Sequence, residues 1–378
     1  MNTVRKALAG VVIAGMALLT GGAAHAKTTA QQTFTLQVDA TPPTGEPWAF
    51  LRFFPSSLKV HQGDIIDAAW QATDTPHTAT LVPTTDPDQW RTDNQSPGGP
   101  YATFESDSAI GGDDNDTIIN PAVGFPSDPT CGTSTTPCTF DGSSIVNAGL
   151  LNPNPSDEPS FFTQVTAPVG SYSFMCLLHP GMQIPLQVVP DTQRIPTPDD
   201  VAQRAADQAA QATTVDGHLA DSRAQAVKVS SLGQGNVLWT INAGGFAKNV
   251  SANEFLDSGL TVRVGDQVKV NGNFEIHTAT TPADKAPSRV PFIVPACEVP
   301  GPDTPPPCAP GVQFVLNVNS QALLPTAKND LSTPEAFRNS GLLTPGTSFT
   351  FDAAKPGVYA IVCLVHGPEM STVITVES

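Results

Sequence analysis

The chain repeats itself. Leu58-Lys59-Val60-His61-Gln62-Gly63-Asp64 is echoed by Leu260-Thr261-Val262-Arg263-Val264-Gly265-Asp266, and His77-Thr78-Ala79-Thr80 by His277-Thr278-Ala279-Thr280. Gly149-Leu150-Leu151-Asn152-Pro153 then matches Gly341-Leu342-Leu343-Thr344-Pro345. Last, Gly170-Ser171-Tyr172-Ser173-Phe174-Met175-Cys176 matches Gly357-Val358-Tyr359-Ala360-Ile361-Val362-Cys363. Four landmarks in the same order indicate one domain present twice, so whatever fold is proposed must be built two times over.

The matched segments alternate apolar and polar residues and end in Gly-Asp or in a tight turn, which is the pattern of half-buried strands. Charged residues make up only 14% of the 378, while Gly (30) and Pro (37) are abundant, which suits short strands with many turns and argues against long helical bundles. The fold class expected is therefore all-β, with domain 1 over residues 27–195 and domain 2 over 229–378. Residues 196–228 differ from both halves. Asp199 to Ala212 is rich in Ala and Gln, with Asp199 and Asp200 suited to a first helical turn, and the stretch reads as a short helical connector. Within each half, the residues between the first His and the Cys are rich in Pro, Gly, Ser and Thr and read as long surface loops.

Residues 1–26 read as a secretory signal. Arg5 and Lys6 precede an apolar run from Ala7 to Leu19, and Ala24-His25-Ala26 offers a small-x-small cleavage site. The run is too short to span a membrane. An exported protein, periplasmic or extracellular, is expected, and its compartment permits disulfides. Cys131/Cys138 and Cys297/Cys308 are close pairs suited to tether the two inserts, leaving Cys176 and Cys363 as free thiols. The alternative is a Cys176–Cys363 bridge without a metal.

Those two Cys head the most specific motifs in the chain. Cys176-Leu177-Leu178-His179-Pro180-Gly181-Met182 and Cys363-Leu364-Val365-His366-Gly367-Pro368-Glu369-Met370 each gather a thiolate, an imidazole and a thioether within eight residues. One thiolate, imidazoles and a weak axial thioether form the ligand set of a blue-copper site. The remaining strong ligand must come from a distant strand, which His77 and His277 can supply. A zinc site would prefer a stronger fourth ligand than thioether.

This constellation resembles the cupredoxin family, the blue-copper proteins that include plastocyanin and amicyanin. The resemblance implies two tandem Greek-key β-sandwiches. It also implies two type 1 copper ions per chain, held by His77, Cys176, His179 and Met182 and by His277, Cys363, His366 and Met370, with the edge of each loop His facing solvent. The family often carries Asn after its first His, where the side chain ties two ligand loops together; Thr78 and Thr278 stand there instead.

The function expected is an electron carrier with two copper sites. The alternatives are a copper-buffering protein, or a copper oxidoreductase of the two-domain nitrite reductase or laccase type. The enzymes need further histidines. This chain has no His-x-His motif, and beyond the assigned ligands and the leader it has only His61, expected on an exposed strand, and His218, expected in a loop. The net charge of −17 argues against nucleic acid as a partner and suits a basic redox partner protein steered by long-range attraction. Asp113-Asp114-Asn115-Asp116 could offer oxygen ligands to Ca²⁺, but lacks the full loop pattern and reads as a solvated acidic turn.

Overall fold

The protein is described by a computed structural model covering residues 30–70, 75–110, 116–151, 160–282, 292–300 and 312–378. The leader, Cys308 and Asp113 to Asn115 lie outside the described residues, so the signal, the second disulfide and the acidic turn find no test there.

In chain order the first half runs β1 (Thr33–Val38), β2 (Trp48–Phe50), β3 (Phe53–Phe54), β4 (Leu58–His61), β5 (Ile65–Trp70) and β6 (His77–Val82). Helix α1 (Pro87–Asn94), β7 (Phe104–Ser106), β8 (Thr117–Ile119) and helix α2 (Pro121–Gly124) follow, and then β9 (Cys138–Phe140), β10 (Val146–Leu151), β11 (Ser160–Val165), β12 (Gly170–Met175) and β13 (Gln183–Val189). Helices α3 (Pro198–Gln211) and α4 (Gly217–Ala224) form the connector. The second half comprises β14 (Lys228–Gly233), β15 (Asn236–Ala243), β16 (Gly245–Ala247), β17 (Val250–Ala252), β18 (Leu260–Arg263), β19 (Gln267–Gly272) and β20 (Thr280–Thr281). It continues through β21 (Ile293–Pro300), β22 (Val312–Val318), α5 (Ser320–Leu323), β23 (Arg338–Asn339), β24 (Ser348–Asp352), β25 (Gly357–Cys363) and β26 (Gly367–Glu377).

Each half is a sandwich of two sheets, and the halves share one topology. The orders β10-β6-β12-β13-β4 and β23-β20-β25-β26-β18 correspond strand for strand. So do β1-β5-β11 and β15-β19-β24 in the facing sheets, with the first pair parallel and the second antiparallel in both. The alternation seen in the sequence puts Phe34, Leu36, Ile66 and Phe174 into one core and Val268, Val270, Phe351 and Tyr359 into the other, all of them buried.

The repeated Gly-Asp has a local cause. Gly63 and Gly265 adopt φ of 97° and 94°, a region that other residues rarely enter. The next carboxylate closes the turn. Asp64 accepts from the N–H of His61 and of Gln32, and Asp266 from the N–H of Arg263 and of Val237.

The connector is helical, as its composition suggests. Thr197 and Asp200 cap α3 reciprocally, and Pro198 occupies the first turn. It is also more than a tether. Ala205, Ala212, Ala220 and Ala224 pack on Trp48 and Phe50 of the first half and Val250 of the second, forming a third core between the sandwiches.

The inserts depart from the expectation of surface loops. β7 and β8 of the first pair with β22 and β21 of the second in one four-stranded sheet, through Ile118 opposite Asn317. A second shared sheet joins β2 to β17, with Val250 opposite Phe50. Two backbone ladders therefore bind the halves to each other. Cys131 and Cys138 form the expected disulfide at the start of β9. Among the described residues no helix is long and apolar enough to cross a membrane.

Candidate metal centre

Adjacent strands bring the ligand types together. β12 pairs antiparallel with β6, Phe174 opposite Leu81 and Met175 opposite Thr80, so Cys176 leaves β12 beside His77 at the start of β6. In the second half Thr280 lies opposite Val362, and Cys363 at the end of β25 meets His277 in the same way. The loop after each Cys then folds back. In the first, the Cys176 N–H donates to Met182 O at 3.0 Å and the Met182 N–H to His179 O at 3.1 Å. Gly181, at φ 81°, makes that reversal possible.

Two triads result. In the first, His77 Nδ1 is 3.1 Å from His179 Nδ1, and Cys176 Sγ is 4.0 and 3.5 Å from those nitrogens. In the second, His277 Nδ1 is 3.2 Å from His366 Nδ1, and Cys363 Sγ is again 4.0 and 3.5 Å away. His77, Cys176, His277 and Cys363 are fully buried, as are Met182 and Met370, which belong to the same apolar cores as their cysteines. Cys176 and Cys363 are free thiols, which removes the bridge between them as an alternative.

The surroundings repeat as well. The backbone N–H of Thr78 points at Cys176 Sγ at 3.4 Å, and that of Thr278 at Cys363 Sγ at 3.3 Å. The hydroxyls of both threonines accept from the next strand's end, Leu177 N–H and Leu364 N–H, each at 2.7 Å. Threonine thus ties the two ligand loops where the family often uses Asn. Behind them Thr80 donates to Asn147 Oδ1 and Thr280 to Asn339 Oδ1. The Asn147 and Asn339 amides in turn donate to carbonyls around α2 and α5. This chain explains the shared His-Thr-Ala-Thr string. The two asparagines, each two residues before the repeated Gly-Leu-Leu, carried a signal that the sequence reading passed over.

Other contributors gave no local signal. Arg91 of α1 is buried and donates to the carbonyls of Cys176 and His179, so part of the first insert clamps the ligand loop. Asp39 Oδ2 lies 2.8 Å from His77 Nε2, and both side chains are fully buried. The corresponding place in the second half, just after β15, is Gly244, where a Cβ would come within 2.7 Å of His277 Nε2. Among the described residues His277 Nε2 has no hydrogen-bond partner. Glu275, buried, faces both loop histidines, with Oε1 3.4 Å from His179 Nε2 and Oε2 3.8 Å from His366 Nε2. The loop histidine edges therefore turn toward an internal carboxylate, with side chains only 15% and 16% exposed, where the resemblance implied edges open to solvent.

Electrostatics follows these partners. Burial alone would lower the His77 pKa, but hydrogen bonds to Asp39 and Cys176 raise it to about 10. Burial pushes His277 down to about 4, against the weaker pull of Glu275. Burial would raise both thiols, yet the facing imidazoles outweigh it. Cys176 falls well below the ordinary thiol value, and Cys363 falls below it. Burial likewise acts to raise Glu275, and the His179 and His366 imidazoles hold it below the usual carboxylate range.

The donor chemistry fits a metal ion. His77 and His179 direct Nε2 at carboxylates, an arrangement that suits Nε2–H rings whose Nδ1 atoms, turned inward toward one thiolate, become ligands once a metal ion displaces any proton held between them. Electron-rich atoms gathered this closely call for a shared cation. Among the described residues these are the two groups of three His, Cys or carboxylate side chains with converging atoms. His61 is not the exposed residue expected. It is 4% exposed, and its Nε2 meets Gln193 O at 2.9 Å, because the segment after β13 folds over β4. His218 is not in a loop but on α4, edge-on to Trp48 at 5.0 Å between ring centroids.

No protein-family model and no curated protein matches the sequence. Solved structures do match. A dithionite-reduced auracyanin from Roseiflexus castenholzii aligns with 43% of this chain and all of its own, at 19% identity and a TM-score of 0.24. A copper-containing nitrite reductase from Thermus scotoductus aligns with 92% of this chain and 68% of its own, at 14% identity and a TM-score of 0.21. A blue copper oxidase from Nitrosomonas europaea aligns with 92% and 86%, at 13% identity and a TM-score of 0.19. The order of the Cys, His and Met residues within each half resembles that of cupredoxins independently of these alignments.

Proposed function

We propose that the chain is an exported electron-transfer protein with two type 1 copper sites, one in each sandwich. His77, Cys176, His179 and Met182 would hold one ion and His277, Cys363, His366 and Met370 the other. Copper would supply reversible one-electron chemistry. The protein's part is to fix the donor atoms before the ion arrives, so that little moves when its charge changes.

The observation that carries this reading is the agreement of the two triads. Corresponding distances match to about 0.1 Å although the halves differ in most residues. A chance juxtaposition has no reason to recur with the same inward-facing Nδ1 atoms, the same N–H directed at sulfur and the same threonine tie. A carrier is favoured over an oxidoreductase because the two remaining histidines of the mature chain are occupied elsewhere, His61 with Gln193 and His218 with Trp48.

The residue boundaries go with this reading: a leader over 1–26, sandwiches over 27–195 and 229–378, and the connector between them. The acidic surface suits a basic redox partner. Electron paramagnetic resonance of the copper-loaded chain tests the choice. Two type 1 signals support a carrier, and an additional type 2 signal at stoichiometric intensity favours the enzyme.

A further inference from the structure

Glu275 stands in a place the internal repeat does not explain. Aligning His77 with His277 sets Thr75 opposite it, so the carboxylate belongs to the second half alone. Its side chain is 4% exposed. A buried carboxylate is unfavourable unless it is partnered, and the groups in range are the Ser251 hydroxyl and one loop imidazole from each half, the imidazoles at 3.4 and 3.8 Å. Oε2 has no hydrogen bond of its own among the described residues, so its acceptor capacity is free for His366.

The packing holds it there. Phe274, the preceding residue, stacks on Phe246 with centroids 3.9 Å apart and planes 7° apart, and both rings lie against the first half's core. Asn249 reaches across from the second half to donate to Gly181 O, inside the first ligand loop, at 2.7 Å. The two loops are thus pressed together around one acidic side chain.

We propose that Glu275 is a positioning residue shared by both metal sites: by keeping the proton of His179 and of His366 on Nε2, it presents both Nδ1 lone pairs to their thiolates, so that one side chain sets the competence of two sites in different halves. The copper reading supplies the identity of the ion, but the electrostatic positioning of the two rings stands without it. An imidazole that loses its carboxylate partner divides its proton between the two nitrogens and spends part of its time unable to ligate. Outer partners of this kind are worth roughly 10–100-fold in metal affinity.

The test uses the full chain. Nitrogen-15 NMR of the metal-free protein, at a pH where both rings are neutral, should show His179 and His366 as Nε2–H tautomers. Glu275→Ala should mix the tautomers of both. Glu275→Gln, nearly isosteric, offers one acceptor oxygen and should preserve one of them at most. Copper(I) competition against a chromophoric chelator then reads each site singly, the first in a Cys363→Ser background and the second in a Cys176→Ser background. Adding Glu275→Ala should weaken each by about 10–100-fold. Unchanged tautomers, or weakening confined to the second half, would overturn the proposal. If the tautomers respond but the wild-type chain binds no copper, the copper reading fails and the positioning role remains.

Discussion

Asp39 lies 2.8 Å from His77 Nε2 in the first half, and in the second Gly244 stands in its place, leaving His277 Nε2 without a hydrogen-bond partner among the described residues. Both Asp39 and Gly244 follow the equivalent strand and both adopt positive φ, 64° and 76°. The duplicated sites are thus alike in their donors and unlike in their outer charge. A buried anion on the far nitrogen makes Nδ1 a stronger donor and favours the higher charge on a bound ion. The first site should therefore have the lower reduction potential. Asp39→Asn keeps an acceptor for the Ala40 and Phe50 N–H groups that Asp39 now serves, but removes the anion. An optical redox titration should show two potentials in the wild-type chain and a rise of the lower one alone in the variant. A fall, or movement of the higher one, would contradict the assignment.

The same asymmetry gives the metal-free protein opposite pH limbs. His77 is raised to about 10, so its contribution is full below the ordinary 6.5 and is lost as pH climbs toward 10. His277 is lowered to about 4, so the unfolded chain takes up its proton first as pH falls. Stability is lost between 6.5 and 4, by at most roughly 3 kcal/mol. Denaturant unfolding in that window should show a flatter pH dependence for His277→Gln than for wild type. An unchanged acid limb would mean another group causes it.

Arg91 links the first insert to the chemistry. Arg91→Ala would leave the Cys176 and His179 carbonyls without this donor, at a cost of about 1–3 kcal/mol. The first site should lose stability and show a broadened thiolate-to-metal absorption, with the second site untouched. Site-resolved spectra in the Cys363→Ser background check this.

The Cys131–Cys138 bridge closes a short loop at the edge of the first sandwich. Replacing both with Ser should lower stability by about 2–3 kcal/mol on the loop-entropy model. The metal sites should keep their spectra, because the ligands lie on β6 and the β12–β13 loop. Loss of the first site's spectrum would show that the insert supports it more directly.

Much of this was readable along the chain. The alternation around Val60, Phe174 and Ile361 marks strands, and the Cys-x-x-His spacing marks a ligand loop, because both depend on neighbours within a few residues. Residues acting across the fold were not legible. Glu275 sits before His277 with nothing to connect it to His179, and Asp39 precedes its histidine by 38 positions. The shared sheets were missed for a similar reason. β7 and β8 are three residues each, too short to show a period, and their partner β22 lies almost 200 residues away. His61 looked exposed because Lys59 and Gln62 flank it, yet the segment carrying Gln193 covers it.

Copper content measured alongside the visible spectrum of the oxidised, purified chain bears most directly on the proposal that each sandwich holds a redox-active ion. Two coppers per chain with an intense blue thiolate band are expected, falling to one in Cys176→Ser and in Cys363→Ser and to none in the double variant. A colourless protein, or a copper content that survives loss of both cysteines, would contradict it.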